Sequence, residues 1–256
     1  MLLAITHVPS PKLQECELTF LQSEPISLSK AQEQHTAYCA MLERCGAKVV
    51  VMTQNSECPD SVFVEDPIIV FDEVAVLTSM GVESRRQESE AMETVFSQYR
   101  RIERISLPAK IEGGDVLKIG KDIFVGRSAR TNDAGIDALE AIIKPLGYRV
   151  IPVDVTGCLH LKTGCTALDD KTILLNPAWL DARAFEGYTM ICVPQDEPFG
   201  ANVLRLGKVL CMNEAFPKSI ALVKSLGYTV DSVNISEFVK AEAGLTCMSV
   251  PFTLNN

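Results

Sequence analysis

Three histidines, at positions 7, 35 and 160, and nine cysteines are the chain's whole supply of imidazole and thiol. A thiol with an imidazole makes a nucleophile–base pair, and a nearby carboxylate can orient the imidazole. Cys247 is the candidate thiol, because it stands in G-L-T-C-M-S-V-P-F among small and polar residues. His160 is the candidate imidazole, in C-L-H-L-K-T. It lies between leucines in an extended segment, where a packed structural histidine is the plainer reading of that residue alone. Acids stand at both ends of D-S-V-F-V-E-D, as Asp60, Glu65 and Asp66, and flank two glycines in E-G-G-D, as Glu112 and Asp115. Carboxylates beside an apolar run are costly unless paired, so residues 60–66 read either as a strand end with solvated acids or as a pocket for a cation. No G-x-S-x-G elbow occurs, the histidines do not form a spaced ligand motif and the cysteines lack paired ligand spacing, so no metal site is expected. The glycines of E-G-G-D suggest a tight turn with close backbone approach, and no G-K-[ST] follows to make a phosphate loop.

The elements that would position these residues repeat. Residues 115–132, D-V-L-K-I-G-K-D-I-F-V-G-R-S-A-R-T-N, carry β-branched and aromatic residues on both sides of a glycine break, which predicts a hairpin. A helix follows, capped by Asn132 and lined by Ile136, Leu139, Ile142 and Ile143; Gly147 stops it and 148–153 is extended. Residues 202–213, N-V-L-R-L-G-K-V-L-C-M-N, repeat the hairpin with Gly207-Lys208 in register. Pro217 then opens a helix, and L-G-Y-T-V-D-S-V at 226–233 repeats L-G-Y-R-V-I-P-V at 146–153. Weaker copies run through 62–78 and 163–176, and the chain ends, 1–8 and 246–252, can supply strands of a last copy. Such self-similarity argues for an α/β fold of radially repeated ββαβ units rather than an ordinary doubly wound sheet. A closed ring of repeats gathers corresponding strand ends around its axis, and the candidate thiol, imidazole and acids lie near such ends.

Elsewhere the patterns are local. Residues 12–27 lack periodicity and read as a loop with the length of a functional flap or a passive surface loop. A capping box at Ser29 opens a helix whose apolar face carries Leu28, Ala31, His35, Tyr38 and Leu42, which makes His35 a packing residue. Residues 47–53 read as a strand, 60–66 as another, 83–99 as one helix whose arginines are solvated, and Trp179 as part of a short helix.

With 256 residues, 47% hydrophobic content and no low-complexity linker, one domain spanning residues 1–256 is expected. The net charge of −9 and the lack of Lys/Arg clusters exclude an ordinary nucleic-acid binder and suit a cationic partner. No apolar run approaches the ~20 residues of a membrane span. The amino terminus lacks the basic start of a signal peptide, and the odd number of cysteines without C-x-x-C reads as free thiols, so a reducing, cytoplasmic location is expected.

Taken together, F-V-E-D-P, E-S-R-R, E-G-G-D, A-R-T-N, H-L-K-T-G and C-M-S-V resemble the dimethylarginine dimethylaminohydrolase family of the guanidine-modifying (pentein) superfamily, and the resemblance covers nearly the whole chain. It implies a five-bladed α/β propeller of ββαβ repeats around a central channel. It also implies hydrolysis of Nω-methylated L-arginine to L-citrulline and a methylamine, without metal or organic cofactor. By motif, Cys247 resembles the nucleophile, His160 the general acid/base and Glu112 the acid that orients it. Glu65 and Asp66 resemble the binders of the guanidinium end, with Asp60 at the rim. Arg85 and Arg130 resemble the clamps on the substrate carboxylate, and Phe63 and Leu18 resemble substrate contacts, Leu18 from a flap. The loop around Leu18, Arg127, and Ser79-Met80 before Gly81 depart from the family pattern, which bears on the exact substrate more than on the chemistry.

The chemistry suits these residues. A guanidinium carbon is a poor electrophile, a thiolate can add to it, carboxylates hold the cation, and a histidine can protonate the departing amine and then activate water. The expected partner is a small cationic amino acid, with no nucleic acid and no membrane, and a homodimer is an admissible assembly. An arginine deiminase or another guanidino-acid hydrolase is the alternative within this chemistry, and a non-catalytic propeller binding a protein surface is the alternative outside it.

Overall fold

Glycine turns and helix caps set the architecture. Gly120 and Gly207, at φ +59° and +60°, each open a two-residue hairpin turn that a side chain would strain. Asn132 caps the helix after the first hairpin, its Oδ1 accepting from Gly135 N at 2.9 Å, and Pro217 occupies the first turn of the helix after the second.

The computed structural model describes residues 1–254. Its strands are β1 (Leu2–His7), β2 (Lys48–Met52), β3 (Ile68–Val70), β4 (Val74–Leu77), β5 (Arg101–Arg104), β6 (Val116–Ile119), β7 (Asp122–Arg127) and β8 (Arg149–Asp154). They continue with β9 (Cys165–Ala167), β10 (Thr172–Leu175), β11 (Thr189–Cys192), β12 (Leu204–Leu206), β13 (Val209–Asn213), β14 (Thr229–Val233) and β15 (Val250–Thr253). The helices are α1 (Leu28–Arg44), α2 (Glu88–Phe96), α3 (Asp133–Ile143), α4 (Leu161–Gly164), α5 (Pro217–Ser225) and α6 (Ser236–Val239).

The strands form five three-stranded sheets of one design, an antiparallel pair, a hairpin in four of them, with one of its strands taking a parallel neighbour after a crossover. The sheets are β3-β4-β5, β6-β7-β8, β9-β10-β11, β12-β13-β14 and β15-β1-β2. Helices α2, α3, α5 and α1 carry four of the crossovers; a short 3-10 turn, Ala182–Phe185, stands in the remaining one. The last sheet joins the two chain ends, as expected. Two compact units result: Glu65–Val193 holds three sheets, and Met1–Val64 with the chain from Pro194 onward holds two.

Each unit has its own core. In Glu65–Val193, Ile136, Leu139 and Ile143 of α3 pack with Val116, Ile123 and Val125, and a second cluster gathers Phe124, Phe185, Leu161 and Leu175. In the other unit, Tyr38, Met41 and Leu42 of α1 pack with Val62, Phe63, Phe238, Leu245 and Met248.

Several local expectations are corrected. Residues 60–66 are successive turns, not a strand: Phe63 N bonds Asp60 O at 2.8 Å and Ser61 N bonds Cys58 O at 3.2 Å, so the backbone folds on itself while Val62, Phe63 and Val64 are all buried. Residues 83–99 do not form one helix. A 3-10 turn, Glu83–Arg85, precedes α2, and Arg85 is buried at 4% exposure where solvated arginines were expected. Ser27, not Ser29, caps α1. Trp179 lies in a turn after Asn176, and the final strand begins at Val250 behind a 3-10 turn, Thr246–Met248. His35 packs as expected, its Nε2 3.0 Å from Thr6 Oγ1, and burial followed by the charge of His7 pushes it down to about 4.

Candidate active site

Within Glu65–Val193, five of the expected residues form one network of hydrogen bonds and ion pairs. Glu112 is fully buried in extended backbone before the 3-10 turn Gly113–Asp115. Its Oε2 accepts from His160 Nε2 at 2.8 Å, and its Oε1 accepts from Gly81 N at 2.8 Å and from Arg130 Nη1 at 3.5 Å. Asp66 accepts from Arg85 Nη1 at 2.9 Å and from Gly114 N at 3.2 Å, and its Oδ1 lies 3.9 Å from His160 Nδ1. Both ring nitrogens of His160 therefore face carboxylates.

The two glycines of E-G-G-D make this approach sterically possible. A Cβ on Gly114 would lie 2.5 Å from His160 Nδ1, and one on Gly113 would lie 2.0 Å from the carbonyl oxygen of Glu65. The close approach expected of that turn is therefore to the imidazole itself.

Charge decides the protonation of this network. Burial disfavours the imidazolium, but Asp66, Asp115 and Glu112 oppose it more strongly, and His160 is pushed up to about 9. Burial raises Asp66, yet the positive charges of His160, Arg85 and Arg130 hold it below its ordinary range. Burial likewise raises Glu112, and the bond and charge from His160 bring it down. At neutral pH His160 is thus an imidazolium between carboxylates. Asp115 behaves differently, because burial outweighs its partners and raises it.

Asp66, Glu112 and His160 each offer one atom within a 4.8 Å cluster, a geometry that can be compared with a metal site. The donors do not fit that use. His160 Nε2 donates to Glu112, and Arg85 and Arg130 already supply positive charge to the two carboxylates.

Other contacts of this unit were not expected from sequence. Glu88 takes Arg85 Nε at 3.1 Å and Nη2 at 3.0 Å, a bidentate fork buried with both partners. Asp115, read only as a turn acid, accepts from Ser128 Oγ at 2.6 Å and from Leu161 N at 2.9 Å, fixing the backbone next to His160. Glu65, expected at the guanidinium, is bonded by Lys162 Nζ. The R-x-x-E spacing of Arg85 and Glu88 and the lysine of H-L-K-T were visible signals, but their partners are distant in sequence or ambiguous in it.

In the unit formed by Met1–Val64 and the chain from Pro194, Cys247 sits in the 3-10 turn Thr246–Met248, half-buried, and Gly244 N donates to its Sγ at 3.5 Å. A ring of neutral side chains holds that turn. Tyr38 Oη donates to Leu245 O at 2.8 Å and lies 2.7 Å from Ser249 Oγ. Asn202 accepts from Thr246 N at 3.2 Å and donates to Thr246 Oγ1 at 3.1 Å, while Thr6 Oγ1 donates to Met248 O at 2.7 Å. Asp60, buried, accepts from Glu17 N at 3.2 Å, so it holds the loop that carries half-buried Leu18. Phe63 is part of the apolar core. None of the nine cysteines is in a disulfide.

Comparison with known proteins shows the family. Residues 14–175 match the family model described as N,N dimethylarginine dimethylhydrolase, eukaryotic. The N(G),N(G)-dimethylarginine dimethylaminohydrolase of Streptomyces coelicolor is 39% identical over 96% of this chain and 95% of its own length. This chain belongs to the dimethylarginine dimethylaminohydrolase family. The Pseudomonas aeruginosa member is 34% identical over 88% of this chain and 89% of its own. A cysteine-to-serine mutant of that dimethylarginine dimethylaminohydrolase, complexed with citrulline, superposes with a TM-score of 0.92 at 33% identity, over 97% of this chain and 98% of the other. The fold class is accordingly α/β, built of five repeated three-stranded units as the sequence repeats predicted, four with an α-helix in the crossover and one with a 3-10 turn there. Among the described residues, no helix is long and apolar enough to cross a membrane.

Proposed function

We propose that this protein hydrolyses Nω-methylated L-arginine to L-citrulline, releasing methylamine or dimethylamine. As a member of its family it is a hydrolase of guanidino C–N bonds, and water is the co-substrate. The observation that carries the reading is the His160–Glu112 pair, an imidazolium at neutral pH beside Asp66. A charged imidazole suits the first half of the reaction, in which the leaving amine needs a proton. Cys247 supplies the thiolate that adds to the guanidinium carbon. His160 gives its proton to the amine as the C–N bond breaks, and the neutral imidazole then takes a proton from water, whose oxygen attacks the thiouronium carbon. Citrulline leaves as the C–S bond breaks, with the thiolate restored. Glu112 fixes the ring and offsets its charge throughout.

Glu65 and Asp66 are assigned to the cationic end of the substrate, Asp60, Leu18 and Phe63 to its enclosure, and Arg85 and Arg130 to its carboxylate. Citrulline release should be measured from monomethylarginine, asymmetric dimethylarginine and arginine. Preferential turnover of a methylated substrate supports the proposal. Turnover of arginine alone makes the protein a deiminase, and no turnover of any of the three overturns the hydrolase reading of the site.

A further inference from the structure

We infer that Glu242 is a positioning residue that holds the tip of the loop carrying Leu18. Three consecutive backbone N–H groups of that loop converge on its carboxylate: Thr19 N at 3.0 Å, Phe20 N at 2.5 Å and Leu21 N at 2.5 Å. The apolar side chains of the tip are not buried, Phe20 being 52% and Leu21 41% exposed. Polar contacts of the backbone therefore fix a segment that apolar burial leaves loose.

The conformation of Glu242 points the same way. It follows α6 in the left-handed region at φ +60°, with Ala243 N bonded to Phe238 O at 3.1 Å, a helix-terminating turn that favours glycine. A glutamate at such a position is strained by its Cβ, and the three amide bonds are what its side chain contributes there. The flanks of the loop are tied by other groups. Asp60 accepts from Glu17 N, Gln14 Oε1 accepts from Ile26 N at 2.6 Å, and Lys240 Nζ donates to Pro25 O at 2.9 Å. Leu18 lies between the bond to Asp60 and the bonds to Glu242, so the two carboxylates together set its backbone.

The catalytic consequence rests on the proposed role of Leu18 as a substrate contact; the latch itself does not. The test compares wild type, Glu242→Gln and Glu242→Gly by amide hydrogen exchange and by steady-state kinetics with a methylated arginine. Glu242→Gly removes the carboxylate while relieving the left-handed strain, so its Tm should not fall. Exchange at residues 19–21 should accelerate while residues 26–30 keep wild-type protection. KM should rise roughly tenfold or more, as loss of charge-assisted bonds implies, with a smaller change in kcat. Glu242→Gln, which keeps an acceptor without the charge, should fall between. Unchanged exchange at 19–21 in Glu242→Gly overturns the latch. Faster exchange with unchanged KM overturns its positioning role for substrate. If the wild type turns over no guanidino substrate, the functional reading fails while the exchange data still decide the latch.

Discussion

The segment around His160 and the turn around Cys247 are both held by buried polar groups, but by opposite kinds. His160 is fixed by charges: Glu112, Asp66 and Asp115 around the ring, with Arg85 and Arg130 behind the first two. The Cys247 turn is fixed by neutral groups: the phenol of Tyr38, the amide of Asn202 and the hydroxyls of Thr6 and Ser249. A charged network sets a protonation state and responds to pH. A neutral ring fixes geometry and holds it independently of pH.

Removal of either reactive group should abolish the reaction by different routes. In Cys247→Ser, citrulline production should fall to background with citrulline binding retained; activity within about tenfold of wild type would remove Cys247 from the chemistry, since a hydroxyl is far less nucleophilic than a thiolate. In His160→Asn, kcat should drop by about 10²–10⁴-fold, the usual worth of a positioned acid–base group. Alkylation of Cys247 by a reactive amidine should persist there; normal kinetics with a lowered Tm would make His160 merely structural.

The pH dependence of stability distinguishes the two regions more sharply. Folding raises His160 from its ordinary 6.5 to about 9, so its contribution is fully present below pH 6.5 and is lost as pH rises through about 9. The shift corresponds to a contribution on the order of 3 kcal/mol. Glu112 and Asp66 are lowered, so their share is present above the ordinary carboxylate range and is lost as pH falls through their depressed values. Urea unfolding of His160→Asn between pH 6.5 and 9 should therefore show a flatter profile than wild type. Tyr38→Phe, which strands the Leu245 carbonyl, should lose about 1–3 kcal/mol by an equal amount at every pH in that window. A pH-dependent loss in Tyr38→Phe, or an unchanged slope in His160→Asn, breaks the distinction.

The smallest expected effect concerns the arginines. Arg130→Ala should raise KM for a methylated arginine by roughly ten- to a hundredfold, the value of one charge-assisted contact, with little change for a guanidine lacking the carboxylate. Equal effects on both substrates would show that Arg130 serves Glu112 alone. Arg85 is the poorer probe, because its loss would leave Asp66 and Glu88 buried without their shared cation.

What the sequence disclosed followed from the range of the interactions involved. The hairpins at 115–132 and 202–213 were legible because turn glycines, the Asn132 cap and alternating apolar residues act within a few positions of one another. Residues 60–66 were misread because Val-Phe-Val suits a buried strand, while the i to i−3 bonds from Phe63 to Asp60 leave no trace in residue type. Motifs singled out Glu112 and His160, which the structure brings together, but not that Gly114 admits the ring, that Glu88 takes the fork of Arg85, or that Lys162 takes Glu65. Those pairings span up to 97 residues and are decided by the packing of blades.

The central claim is that the carboxylates around His160 keep it protonated at the start of the reaction. Titration of the three histidines by nitrogen-15 NMR in the substrate-free protein tests it directly, with wild type and Glu112→Gln compared. The account predicts a His160 midpoint near 9, His35 near 4, and a His160 midpoint that moves down in Glu112→Gln as an opposing charge is lost. A wild-type His160 midpoint at or below 6.5, or one that does not move in Glu112→Gln, would contradict it.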